Sequence, residues 1–158
     1  MLTSDLSGPR PLLLDTHIWI WASGNAGGPT RFAAWVAPWI ELAARERRLL
    51  ASVASVWEIA LKSRRGDLAV HGDLHAWVKT QTKWPGVRVV PMTSSMVISS
   101  VDLPPWTRRD GAEHKDPSDR FLVAKARLAN AILVTCDELI LDYAGKGKHL
   151  VACDARRT

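Results

Sequence analysis

The stretch DPSDRFLVAKARLANAILVTCDELILDY, residues 116–143, holds three elements in a row. PSDRFLVAKARLAN (117–130) reads as a helix. Asp116 is a good N-cap, Pro117 suits the first helical position, and apolar residues then recur at helical spacing. AILVT (131–135) is short and mostly apolar, as expected of a strand buried on both faces. DELILDYAG (137–145) returns to a short helix. A helix, a buried strand and a helix in succession point to a parallel sheet with helices on both of its faces.

The alternation extends in both directions. PLLLDT (11–16), LLAS (49–52) and VRVVPM (87–92) read as strands, AILVT is the fourth, and HLVA (149–152) is a candidate fifth. Helical period covers TRFAAWVAPWIELAARERR (30–48), where Pro38 should kink or divide the helix. SVWEIALKSRRG (55–66) is a helix closed by Gly66, DLHAWVKTQTK (73–83) another, and SSMVISSVDL (94–103) a short one before two prolines. SGNAGGP (23–29) and WTRRDGAEHK (106–115) are loops. The expectation is one α/β domain over 1–158, with 1–10 as a loose tail.

Bulk properties narrow the class. The 158 residues suffice for one ordinary core, and 47% apolar content argues against disorder. The charge of +5 suits a polyanionic partner without demanding one. Two cysteines, Cys136 and Cys153, imply no disulfide framework. The N-terminal segment lacks a basic start and a long apolar run, and no stretch approaches a membrane span; a cytoplasmic protein is expected. Of the eight tryptophans, most are expected in packing, while Trp35 and Trp39 would share one helix face and could instead anchor a partner.

In open parallel sheets, ligands gather at the carboxyl ends of strands. Asp15 ends the first strand and Asp137 follows the fourth. Glu58 is expected in the first turn of the helix after the second strand, and Asp119 in the first turn of the helix before the fourth. Each has an ordinary structural reading. Ser55 with Glu58, and Asp116 with Asp119, match capping boxes, and Asp15 and Asp137 suit turns. Taken together they point elsewhere, because parallel strands bring their ends together and clustered carboxylates repel unless a cation intervenes. Hard oxygen donors without Cys or His favour Mg²⁺ or Mn²⁺. That chemistry serves hydrolysis at phosphorus, and a basic surface would hold a nucleic-acid backbone.

LLLDTHIWIW (12–21), SVASVWEIALKSRRGDL (52–68) and KDPSDRFLVAKARLANAILVTCDELILDY (115–143) resemble, in order and style, PIN-domain proteins, and among these the VapC-like toxins of bacterial toxin–antitoxin pairs. The resemblance spans about residues 11–153. It implies a three-layer α/β/α sandwich with a mostly parallel sheet of about five strands. It also implies a Mg²⁺- or Mn²⁺-dependent endoribonuclease, a homodimer and a cognate antitoxin. By motif, Asp15, Glu58, Asp119 and Asp137 are the expected catalytic and metal-binding residues, with Asp15 and Asp119 the primary ligands. Position 118 is Ser where many relatives carry an aromatic, a departure expected to touch packing rather than chemistry.

Thr16, Thr135 and Asp116 are candidates to support the ligands, against ordinary strand-end and capping roles. His17 could touch phosphate or metal, or simply start a helix. Lys62, Arg64 and Arg65 are candidates for RNA contact, although cations at a helix end also suit the dipole. Arg120 could steer RNA or pair with a carboxylate. Arg108, Arg109 and Lys115 form a second basic strip, and Glu138 could share the role of Asp137. One rival is a catalytically silent module of the same fold that only binds RNA or a partner. A phosphoacceptor domain also uses a strand-end aspartate with Mg²⁺. It normally has an acidic pair near the N-terminus and a Lys ending a late strand, and LLLDTH, ILVTCD and HLVAC supply neither.

Overall fold

Leu12, Leu13 and Leu14 are all buried, yet they face opposite ways, and this alternation organises the molecule. The computed structural model describes residues 6–24, 31–70, 72–147 and 149–156. Residues 1–5 of the expected tail and most of the SGNAGGP loop lie outside them. The elements run β1 (Leu12–Leu14), α1 (Thr16–Ala22), a 3₁₀ turn (Ala34–Val36), α2 (Ala37–Arg45), β2 (Leu49–Ser52) and α3 (Val53–Arg65). They continue with α4 (Leu74–Gln81), β3 (Val87–Val90), α5 (Ser94–Val101), α6 (Pro117–Leu128), β4 (Ile132–Thr135), α7 (Glu138–Gly145) and β5 (Ala152–Asp154).

The sheet has the order β3-β2-β1-β4-β5, and every pairing is parallel. Leu12, Leu14, Leu49, Ala51, Ile132 and Val134 pack on one side with Ile18, Trp19, Ile40, Ile59 and Trp77 from α1–α4. Leu13, Leu50 and Leu133 pack on the other with Leu122 and Val123 of α6 and Ile140 and Tyr143 of α7. The result is the expected three-layer α/β/α sandwich, because strands with a period of two residues and apolar on both faces need helices on each side. Leu6 is buried in the first cluster, and Arg48 donates to the carbonyls of Leu6 and Arg10.

Local chemistry sets the boundaries. Pro38 falls in the first turn of α2, where its missing N–H is harmless, so it divides the expected 30–48 helix instead of kinking it. Trp35 therefore lies in the 3₁₀ turn and Trp39 in α2, not on one helix face. Gly66 ends α3 with φ +80. Gly86 enters β3 at φ +84, and a Cβ there would stand 2.1 Å from the Ala44 carbonyl oxygen. The fifth strand starts at Ala152, later than expected, because its register is set by pairing with Leu133. Among the described residues, no helix is long and apolar enough to cross a membrane.

The chain builds outward from β1 to β2 and β3, then crosses back to place β4 on the other side of β1. The crevice between the carboxyl ends of β1 and β4 is thus the topological switch point, where such sheets bind ligands.

Candidate active site

Asp15 follows β1 at that switch point and caps α1, its Oδ1 accepting from the Thr16 N–H at 2.6 Å. Its Oδ2 accepts from the Thr135 hydroxyl at 2.6 Å, and the Thr135 oxygen in turn accepts from the Asp137 N–H at 2.9 Å. Asp137 caps α7 through Oδ1, which accepts from Leu139 and Ile140. α6 runs back against the strands, so its first turn also reaches this end of the sheet. Asp116 caps it by accepting from the N–H groups of Ser118 and Asp119. Helix N-termini of α1, α6 and α7 thus meet here, each with an acidic residue at the cap, and their dipoles favour negative charge.

Glu58 arrives differently. Ser52, not Ser55, caps α3 by accepting from the Ala54 N–H, so the expected Ser55–Glu58 capping box does not form. Glu58 falls in the second turn instead, and it ties three helices together. Its Oε2 accepts from the Thr16 hydroxyl of α1 at 2.6 Å and the Ser118 hydroxyl of α6 at 2.7 Å. Its Oε1 pairs with Lys62 at 2.6 Å. Ser118, expected to matter only for packing, therefore belongs to the polar network. The hydroxyl was in plain view; its partner sits 60 positions away, and no local pattern pairs them.

Histidine 114 is the residue that sequence reading did not place in the site. Its ring is buried, and its Nε2 lies 2.8 Å from Asp119 Oδ2. Its position two residues before Asp116 was the only signal, and it lies at the edge of a segment read as loop.

Burial and mutual repulsion shape the charges. Desolvation, with Glu58 and Asp137 nearby, lifts Asp15 from 3.8 to about 6 despite the Thr135 hydrogen bond. Desolvation again comes first for Asp119, reinforced by Asp116, Asp137, Asp15 and Glu58, and holds it at about 8. Burial also pushes Glu58 upward, but hydrogen bonds from Lys62, Thr16 and Ser118 outweigh it and leave that carboxyl below its ordinary value. Burial lowers both His17 and His114, favouring neutral rings. Cys136 is pushed up by burial to about 11, so its thiol stays protonated beside the site.

The basic candidates divide. Lys62 is drawn into the cluster through Glu58 and lies 3.2 Å from His17 Nε2. Arg64 and Arg65 stand exposed at the far end of α3. The Arg120 guanidinium donates to the backbone carbonyls of Ser100, His114 and Val101, and is 3.8 Å from Glu113; it clamps α5 and the preceding loop to α6. Arg108 and Lys115 pair with neighbouring acids in their own loop, and Arg109 with Asp142. Glu138 turns outward to Arg109 and Arg156.

The donor chemistry fits a hard divalent cation. Buried Asp15 and half-buried Asp119 are held well above their ordinary range, first by desolvation and then by neighbouring carboxylates, and a cation removes that penalty. Among the described residues, no three His, Cys, Asp or Glu side chains stand close enough to hold one ion among them. Mg²⁺ does not require three, since it retains waters and commonly takes one or two protein carboxylates.

Comparison with known proteins gives consistent results. The family model described as "PIN domain" matches residues 12–146. No curated protein matches. Among solved structures, VapBC2 from Rickettsia felis, bound to a DNA fragment from its promoter, is similar with a TM-score of 0.60 at 13% identity, covering 89% of this chain and 96% of that one. FitAcB from Neisseria gonorrhoeae gives 0.59 at 16% identity, covering 90% and 96%. FitAB bound to an IR36 DNA fragment gives 0.59 at 17%, covering 93% and 97%. At these identities the structural likeness concerns the fold.

Proposed function

This chain belongs to the PIN-domain family, generally nucleases, and from that premise we propose that it is a metal-dependent endoribonuclease, the toxin of a toxin–antitoxin pair. One observation carries the reading: buried Asp15 and half-buried Asp119, brought together from separate elements at the switch point, are raised to about 6 and about 8, a cost that a bound cation would relieve. Asp15 and Asp119 would hold Mg²⁺ or Mn²⁺, with Glu58 and Asp137 completing the site through water. The ion supplies Lewis-acid polarisation of a phosphoryl oxygen and a water of lowered pKa. Thr16, Thr135 and Ser118 fix the carboxylates by hydrogen bonding. Asp116 sets the start of α6 and so the position of Asp119. Arg64 and Arg65, with the outer face of Lys62, would contact the RNA backbone, and that binding would weaken with salt.

The antitoxin partner rests on the similar folds, which occur in VapBC2 and FitAB complexes. A homodimer and a cytoplasmic location belong to the same proposal, on the family resemblance of the sequence motifs. A second reading, a silent module that only binds RNA or a partner, is favoured by the lack of three closely grouped ligands among the described residues.

One experiment separates the two. Purified protein is incubated with unstructured RNA and Mn²⁺, with and without EDTA, beside Asp15→Asn. Cleavage lost with EDTA and in the variant, with the fold intact by circular dichroism, supports the nuclease. Cleavage unchanged in Asp15→Asn removes the assignment, and RNA binding with no cleavage by the wild type favours the silent module.

A further inference from the structure

His114 sits in a small built structure rather than a free loop. The segment before α6 folds back on itself: Thr107 bridges Glu113 in antiparallel fashion, Arg108 N–H donates to Ala112 O at 2.8 Å, and His114 N–H donates to Trp106 O at 2.8 Å. Arg120 then donates to the His114 carbonyl at 3.0 Å. The imidazole packs on Trp106 with centroids 4.3 Å apart, and Trp106 stacks on Tyr143 at 4.5 Å. Tyr143 is itself anchored by donating to Pro104 O at 3.1 Å. Backbone and ring are both held, so Nε2 has one direction to point, and it points at Asp119 Oδ2, 2.8 Å away.

We propose that His114 is the positioning residue of the metal centre: its Nε2–H holds one oxygen of Asp119 and so presents the other to the ion. This rests on the reading above in which Asp119 is a metal ligand. Once a cation displaces its proton, Asp119 only accepts hydrogen bonds, so in the loaded site this contact places the ring proton on Nε2. Oδ2 is thereby fixed, while Oδ1 meets no protein donor among the described residues. Asp15 is held in a comparable way, by the hydroxyl of Thr135 and the N–H of Thr16. The two expected ligands are thus oriented by different groups, one by an imidazole and one by a hydroxyl and an amide. Ligating carboxylates depend on such partners, whose loss commonly weakens metal binding about 10–100-fold.

Two substitutions isolate the Nε2–H. In His114→Gln the side-chain amide nitrogen replaces Nε2 and still reaches Asp119. In His114→Asn the amide sits where Nδ1 was and falls short. Both lose the ring packed on Trp106, so a purely structural role would affect them alike. Mn²⁺ affinity is measured by calorimetry on the full chain, with kcat/KM for RNA cleavage alongside. The expectation is that His114→Gln stays within about 3-fold of wild type and His114→Asn binds Mn²⁺ about 10–100-fold more weakly. Equal weakening in both, or wild-type affinity in His114→Asn, overturns the proposal. A measurement on the unaltered chain covers the case in which the variants do not fold. Nitrogen-15 imidazole spectra with Mg²⁺ present are expected to show His114 protonated at Nε2, and protonation at Nδ1 alone overturns the assignment. Failure of the wild type to bind Mn²⁺ would instead remove the metal reading itself, and with it the ligand that His114 serves.

Discussion

Replacing Asp119 by Asn should stabilise the metal-free protein while abolishing its cleavage. Asp119 is held at about 8 against an ordinary 3.8, first by burial and then by the surrounding carboxylates. A carboxyl whose pKa is higher in the folded chain binds its proton more tightly there than when unfolded. Its effect on stability is therefore negligible below about pH 4, becomes increasingly unfavourable as pH rises, and levels off above about pH 8. One pKa unit is about 1.4 kcal/mol, so between 3.8 and neutrality the penalty has a ceiling of about 4 kcal/mol. The neighbouring acids readjust when one charge is removed, so about half the ceiling, ~2 kcal/mol, is the expected gain at pH 7. For a chain of this size that is a rise in Tm of about 4–8 °C. The contact with His114 survives in the variant, since the amide oxygen also accepts from Nε2.

The assay is thermal unfolding of wild type and Asp119→Asn in EDTA at pH 5 and pH 8. The gap should be small at pH 5 and largest at pH 8. Adding Mn²⁺ should raise the wild type at pH 8 and leave the variant nearly unmoved, because ligand stabilisation scales with occupancy of the native site. A variant less stable than wild type at both pH values, or a gap that does not change with pH, would refute the view that Asp119 is a strained, like-charged member of the cluster.

Asp116→Ala removes the cap of α6 and should cost about 1 kcal/mol, measured by urea unfolding, while Mn²⁺ affinity changes little. Loss of metal binding at full stability would reverse the roles assigned to Asp116 and Asp119. Ser118→Ala deletes one of the hydroxyls donating to Glu58 and should cost about 1 kcal/mol. A drop in kcat exceeding the stability loss would show that the orientation of Glu58 matters to the reaction. Gly86→Ala should destabilise by more than about 3 kcal/mol, since its Cβ would meet the Ala44 carbonyl carbon and oxygen at 2.5 and 2.1 Å with φ at +84. A soluble variant with an unchanged Tm would contradict that close approach.

Much of the fold was legible because its determinants are local or periodic. AILVT has too few residues for a helix and too little polarity for an exposed strand, so a covered parallel sheet was the natural home for it. Asp116 with Pro117 fixed the start of α6 within one residue, because cap chemistry acts over one turn. The α3 start was misplaced by one turn: both Ser52 and Ser55 are competent caps, and the end of β2 at Ser52 settled between them. The acids at strand ends were identifiable because parallel strands share a direction, so residues following them share an end of the sheet.

What the sequence by itself determined is the strands and most of the helices, the cap of α6, and the gathering of Asp15, Glu58, Asp119 and Asp137 at one end of one sheet. Only the tertiary structure decided how those carboxylates are held. Ser118 reaches Glu58 across 60 positions, Thr135 reaches Asp15 across 120, and His114 turns toward Asp119 because a hairpin and the Trp106–Tyr143 stack aim its ring. The physical reason is range. Periodicity and capping act between neighbours in the chain and leave a trace in its pattern. A hydrogen bond of under 3 Å between distant residues depends on the angle and register at which whole helices dock, and no local pattern encodes that.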